Sequence, residues 1–120
     1  MYLVTSNGFN FAERATLPSA IELCRIFSKS NTVAWIVNGR DDSLTLVYVK
    51  GRELVACLTD GETFCLTDDS GSQADFIGNC VMRFECIDGY KEYMGKERYT
   101  PDELRRLFMD YLRLGWTLGV

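Results

Sequence analysis

The sequence predicts an α+β domain: an antiparallel, meander-like sheet of about five strands with an N-terminal and a C-terminal helix packed on it. Three observations predict this. Two segments with helical apolar spacing, "LPSAIELCRIFSKS" and "YTPDELRRLFMDYLRLGW", lie towards the two ends of the chain. Runs rich in β-branched and aromatic residues fill the stretch between them. Connections are short and marked by turn dipeptides, leaving no room for the crossovers a parallel sheet needs. A chain of 120 residues with 47% hydrophobic content reads as one domain, 1–120, large enough to bury a core without covalent staples.

In order along the chain, "MYLVTS" reads as a short edge strand or a frayed start. The first helix follows, capped by Thr16 or Ser19, with Pro18 in its first turn and Leu17, Ile21, Cys24 and Phe27 on one stripe. "TVAWIVNG" is a strand that stops at Asn38-Gly39, and "SLTLVYVKG" alternates as a second strand. "RELVACLTDGETFCLTD" reads as two strands around Asp60-Gly61, a dipeptide that suits a tight hairpin. "DDSGSQAD" is a polar loop, and "NCVMRFECIDGYKEYM" is a strand pair broken at Asp88-Gly89. Thr100, Pro101 and Glu103 then open the last helix with a capping box. Leu104, Leu107, Phe108, Tyr111 and Leu112 form its apolar face, Met109 falls on another face, and Gly115 closes it. Such a helix covers a sheet, so a working surface is expected on the loops and strands between residues 40 and 95.

The composition excludes several kinds of chemistry. Histidine is absent, which removes the usual general base near neutral pH and every Ser-His or Cys-His triad. Cys24, Cys57, Cys65, Cys80 and Cys86 are spaced 33, 8, 15 and 6 apart, which is not a zinc pattern. They read as reduced cysteines; a Cys57–Cys65 disulfide across the expected hairpin is sterically open but not expected. The paired acids Asp41-Asp42 and Asp68-Asp69 are adjacent and solvated, unlike tuned catalytic carboxylates. "DDSGSQADF" lacks the alternating ligands and final glutamate of a calcium loop. No phosphate-binding glycine loop occurs, so neither metal nor cofactor is expected, nor enzymatic activity. No apolar run approaches the ~20 residues that span a membrane, and no leader pattern precedes the first helix, so the cytoplasm is the default location.

Charge carries more information. Residues 41–92 hold eleven acids against four bases, whereas the rest of the chain holds six acids against nine bases. An acidic middle disfavours nucleic acid as a direct partner and favours a basic protein. Candidate partner-binding residues are therefore the turn acids Asp41, Asp42, Asp60, Glu62, Asp68, Asp69 and Asp75, with Tyr90 and Tyr93 as aromatic anchors. In a meander the turns near 40 and 60 would share one end of the sheet and the loop near 70 the other.

The C-terminal stretch "FECIDGYKEYMGKERYTPDELRRLFMDYLRLG" resembles the tail of bacterial immunity proteins of polymorphic toxin systems, the group often encoded beside deaminase and nuclease toxins in contact-dependent inhibition or type VI systems. The resemblance is carried by residues 84–116: the "DGYKEYMGKERYTPDE" segment, the capped helix, and its end at Tyr111, Leu112, Arg113, Leu114, Gly115 and then Trp116. It implies a monomer or weak dimer that binds a cognate toxin domain, a nuclease or deaminase, and blocks its cleft without chemistry of its own. A secretion chaperone for an effector protein is the alternative that the same size, acidity and lack of catalytic residues allow.

Overall fold

The computed structural model describes residues 1–6 and 11–119, with the backbone alone at residue 11. The fold is α+β and wholly antiparallel within its sheets, as the sequence predicts. In place of one meander, however, there are two five-stranded sheets, one in each of two compact units, Met1–Ala56 and Cys57–Val120.

In the first unit, β1 (Tyr2–Ser6) and β2 (Phe11–Arg14) precede α1 (Leu17–Asn31), followed by β3 (Val33–Asn38), β4 (Leu44–Val49) and β5 (Arg52–Glu53). The sheet order is β2-β1-β3-β4-β5, so the N-terminal segment is an interior strand and not an edge. Its Val4 meets Ile36 across the ladder, and both are fully buried. α1 lays Ala20 and Cys24 on Val4, Ala34, Ile36 and Tyr48, the apolar stripe closing over the alternating face of three strands. Thr16 is its cap, accepting from the Ser19 backbone N–H at 3.4 Å. Burial drives the Cys24 thiol up to about 12, so it behaves as a small hydrophobe.

α2 (Leu54–Thr59) carries the chain from the first unit into the second. The expected strand over "LVACLT" is thus a helix. A six-residue apolar run cannot be told from a strand by periodicity. Its helical start is set by Glu53, whose carboxylate accepts from the Ala56 backbone N–H at 3.0 Å. Asp60-Gly61 still reverses the chain, with Gly61 at φ 92°, but between a helix and a strand. Cys57 therefore lies on a helix, not across a hairpin from Cys65, and all five cysteines are free thiols.

The second unit contains β6 (Thr63–Thr67), β7 (Gln73–Ile77), β8 (Cys80–Ile87), β9 (Tyr90–Arg98), α3 (Pro101–Arg113) and β10 (Thr117–Leu118), with sheet order β10-β6-β7-β8-β9. α3 opens with the predicted capping box: Glu103 N–H donates to Thr100 Oγ1 at 3.2 Å, and Thr100 N–H to Glu103 Oε1 at 3.0 Å. Phe108 meets Phe76 edge-on at 5.3 Å between centroids, and Leu66, Ala74, Phe76 and Val81 are buried on the sheet. Met109, placed by the sequence on another face, is also buried. Gly115 at φ 94° ends the helix, letting Trp116 N–H reach back to the Tyr111 carbonyl at 3.0 Å. None of the described helices is long and apolar enough to cross a membrane.

Candidate protein-binding site

The β8–β9 hairpin sets the site. Its two-residue turn, Asp88-Gly89, has φ 51° and 82°, the mirror-image geometry that matches strand twist. That turn fixes the register, pairing Ile87 with Tyr90, Glu85 with Glu92 and Phe84 with Tyr93. Further along, Arg83 pairs with Gly95, so Met94 is the extra residue of a bulge. Alternation from these partners divides β9 by face. Tyr90, Glu92 and Glu97 lie on the α3 side with Arg83 and Glu85, and Lys91, Tyr93, Lys96 and Arg98 lie on the other. β9 is the sheet edge, and its Tyr90, Tyr93 and Met94 are 77%, 57% and 52% exposed.

Beside this hairpin, on the α3 side, a cavity of about 300 Å³ is lined by Asp68, Arg83, Phe84, Met94, Tyr111 and Trp116, with Glu85 and the β6–β7 turn at its rim. Tyr111 and Trp116 pack at 4.6 Å between centroids. Arg83 is held from three directions: Nε donates to the Tyr111 hydroxyl at 3.0 Å, one terminal nitrogen donates to the Tyr99 hydroxyl at 2.6 Å, and the other pairs with Glu97 at 3.6 Å. Tyr99 in turn donates to Glu97 at 2.9 Å. The Tyr111 contact leads the effects that push the Arg83 guanidinium further above its ordinary range. Burial raises the Tyr99 phenol, so both stay in their neutral-pH forms.

The sequence-predicted acids are not brought together into one patch. Asp41 and Asp42 occupy the β3–β4 turn of the first unit. Asp41 Oδ1 accepts from the Ser43 hydroxyl at 2.7 Å and its N–H at 3.0 Å, while Asp42 sits at φ 59°. Asp60 and Glu62 follow α2, at the opposite end of β6 from Asp68 and Asp69. Asp68 organises its own turn, Oδ1 accepting from Ser70 N–H, the Ser70 hydroxyl and Ser72 N–H at 2.8–3.0 Å. These contacts, led by the serine hydroxyl in each case, hold Asp41 and Asp68 below the usual carboxylate range. Asp75 lies on β7, accepting from Gln73 Nε2 at 2.7 Å on the face away from α3. Burial and then the Asp75 contact raise the neighbouring Cys65 thiol to about 11. Asp69 shares the turn of Asp68 at the same sheet end as the Asp88-Gly89 turn, as consecutive antiparallel hairpins require.

Sequence reasoning overlooked Glu85, Glu92, Arg83, Met94 and Trp116 as site residues. The signal was present for the first two. A two-residue turn at 88–89 dictates that 85 faces 92. Among the described residues no cluster of three potential ligands can hold a metal ion. Compared with known proteins, the chain matches no family model, no curated protein and no solved structure.

Proposed function

We propose that this chain is an immunity protein: a non-catalytic binding domain that neutralises a cognate basic toxin domain, a nuclease or deaminase, in the cytoplasm of the producing cell. The observation that carries the reading is the β8–β9 hairpin, which offers exposed Tyr90, Tyr93 and Met94 on an edge strand of an acidic unit. That unit has twelve acids against seven bases. Aromatic and methionine side chains serve as interface anchors, and an acidic field around them steers a basic partner and selects against others. The resemblance carried by residues 84–116 falls on this same hairpin and on the helix behind it. A toxin that acts on nucleic acid carries a basic cleft, because its substrate is a polyanion.

The test is co-expression with the toxin domain encoded beside the gene. Death of cells making the toxin alone, survival with this protein, and a co-purifying complex are expected. Indifference to the neighbouring gene in both cells removes the reading. The exposed edge also suits a secretion chaperone holding an extended segment. A stable dimer that captures an unfolded effector segment, and no folded toxin, would favour that second reading.

A further inference from the structure

The cavity beside the β8–β9 hairpin combines aromatic residues with acidic ones. Its lining includes the half-buried aromatic residues Tyr111 and Trp116 together with Met94, and Phe84 borders it from β8 while its ring packs on Tyr93 on the far face of the sheet. Its rim carries Glu85, and Glu92 stands directly across the strand pair from Glu85 on the same sheet face. Carboxylates in direct cross-strand register are held about 5 Å apart between Cβ atoms, an arrangement that destabilises the sheet unless a cation intervenes. No cation within the described residues does so. Lys91, between them in sequence, lies on the opposite face and donates to Gln73 at 2.6 Å. Arg83 is the nearest base on the same face, but its three nitrogens are already committed to Tyr111, Tyr99 and Glu97.

We propose that this cavity receives an arginine side chain from a basic partner segment. The cavity and the strand pair beside it offer what a guanidinium requires and an ammonium uses less well: the aromatic residues Tyr111 and Trp116 for stacking, and for its fork of donors the carboxylates of Glu85, which lines the cavity, and of Glu92, across the ladder from it. The occupant relieves the Glu85–Glu92 repulsion, so binding gains a favourable term that the free protein lacks. The assignment rests on the reading of this chain as a binding domain for a basic toxin, whose arginine would fill the cavity while Tyr90, on the same face, packs beside it. It goes further in assigning the anchor to Glu85, Glu92 and Trp116 rather than to the turn acids 41, 42, 60 and 62.

The experiment uses the full chain labelled with ¹⁵N and three capped tripeptides, Gly-Xaa-Gly, in which Xaa is arginine, citrulline or lysine. Saturable shifts of the Trp116 indole and of the Glu85 and Glu92 amides are expected with the arginine peptide at millimolar concentration, the range one side chain can reach. Lysine is expected to bind more weakly and citrulline, which has the shape without the charge, not at all. The double variant Glu85→Gln with Glu92→Gln should keep or raise the melting temperature and weaken arginine binding by about tenfold or more. A silent titration, an equal response to citrulline, lysine binding as tight as arginine, or full binding by the double variant each overturns the proposal. In the toxin complex, the same variant should weaken Kd by at least about tenfold, whereas Glu13→Gln with Glu22→Gln, an equal change of charge, should not; an unaffected complex removes the toxin as the source of the arginine. A positive titration with failed co-expression leaves the pocket and removes the immunity reading. Protection by a chain whose titration is silent does the reverse.

Discussion

Arg83 shows how one side chain joins three elements. It rises from β8, reaches Tyr111 on α3, and meets Tyr99 and Glu97 at the end of β9. Replacing it with methionine keeps the stem and leaves two phenols and a carboxylate without their donor. A loss of about 1–3 kcal/mol is expected in urea unfolding, and lysine should recover only part of it because it lacks the planar fork. Asp41, Asp68 and Glu103 give a second residue-scale expectation. Each has a pKa lowered in the folded chain, the first two chiefly by serine side chains and Glu103 by the Thr100 backbone N–H. A folded pKa below the unfolded one contributes stability that is present above the unfolded value and is lost as pH falls through the folded one. Thermal melting should therefore be flat towards neutrality and decline below about pH 4, near the unfolded carboxylate range. Asp68→Asn, which keeps an acceptor but cannot titrate, should make that decline shallower; an unchanged slope would show that its turn contacts do not act through the charge.

At the level of elements, those with redundant local signals were legible and those set by distant pairing were not. α3 announces itself through Thr100, Pro101, Glu103 and Gly115 as well as through its apolar face, and the β8–β9 hairpin through Asp88-Gly89. Thr100→Ala, which removes the acceptor for Glu103 N–H, should cost about 1 kcal/mol in the same unfolding measurement. β10 is two residues long and exists because Thr117 and Leu118 find β6, fifty residues earlier in sequence by rough count, which no local pattern encodes. α2 was missed because its cap is a glutamate, and the division into two sheets follows from that helix interrupting the run of strands. The candidate site was half legible for the same reason. Tyr90 and Tyr93 are exposed, whereas the turn acids are spread over two units, two of them tied into their own turns. β9 yields a further expectation. The two-fold pairing of this edge with a second copy, using the whole strand and matching faces across the bulge, would set Lys91 against Arg98 and Glu92 against Glu97. Like charges oppose in both pairs, which guards the edge against self-association. Exchanging the two charges by Lys91→Glu with Glu92→Lys makes both pairs attractive, and sedimentation should then show stronger self-association than in the parent chain.

For the whole molecule, the imbalance of charge between the units is the governing quantity. The first unit has five acids and six bases and the second twelve acids and seven bases, so the second carries −5 against +1 in the first, which gives the net charge of −4. Association with a basic partner should accordingly weaken as salt is raised from about 50 to 500 mM, mainly through a slower on-rate, because the screening length shrinks below the distance over which that field steers. Salt-independent association would mean that the aromatic anchors act alone.

The two-residue turn at Asp88-Gly89 has one more consequence. Because side chains alternate, sliding β9 by one position against β8 exchanges its faces: Lys91, Lys96 and Arg98 would move to the α3 side, and Glu92 and Glu97 away from it. A single inserted or deleted residue in that turn would thus invert the sign of the displayed surface without altering any residue on the strand. The hairpin is in that sense a reversible label, and turn length offers descendants of this chain a one-step route to a partner of opposite charge.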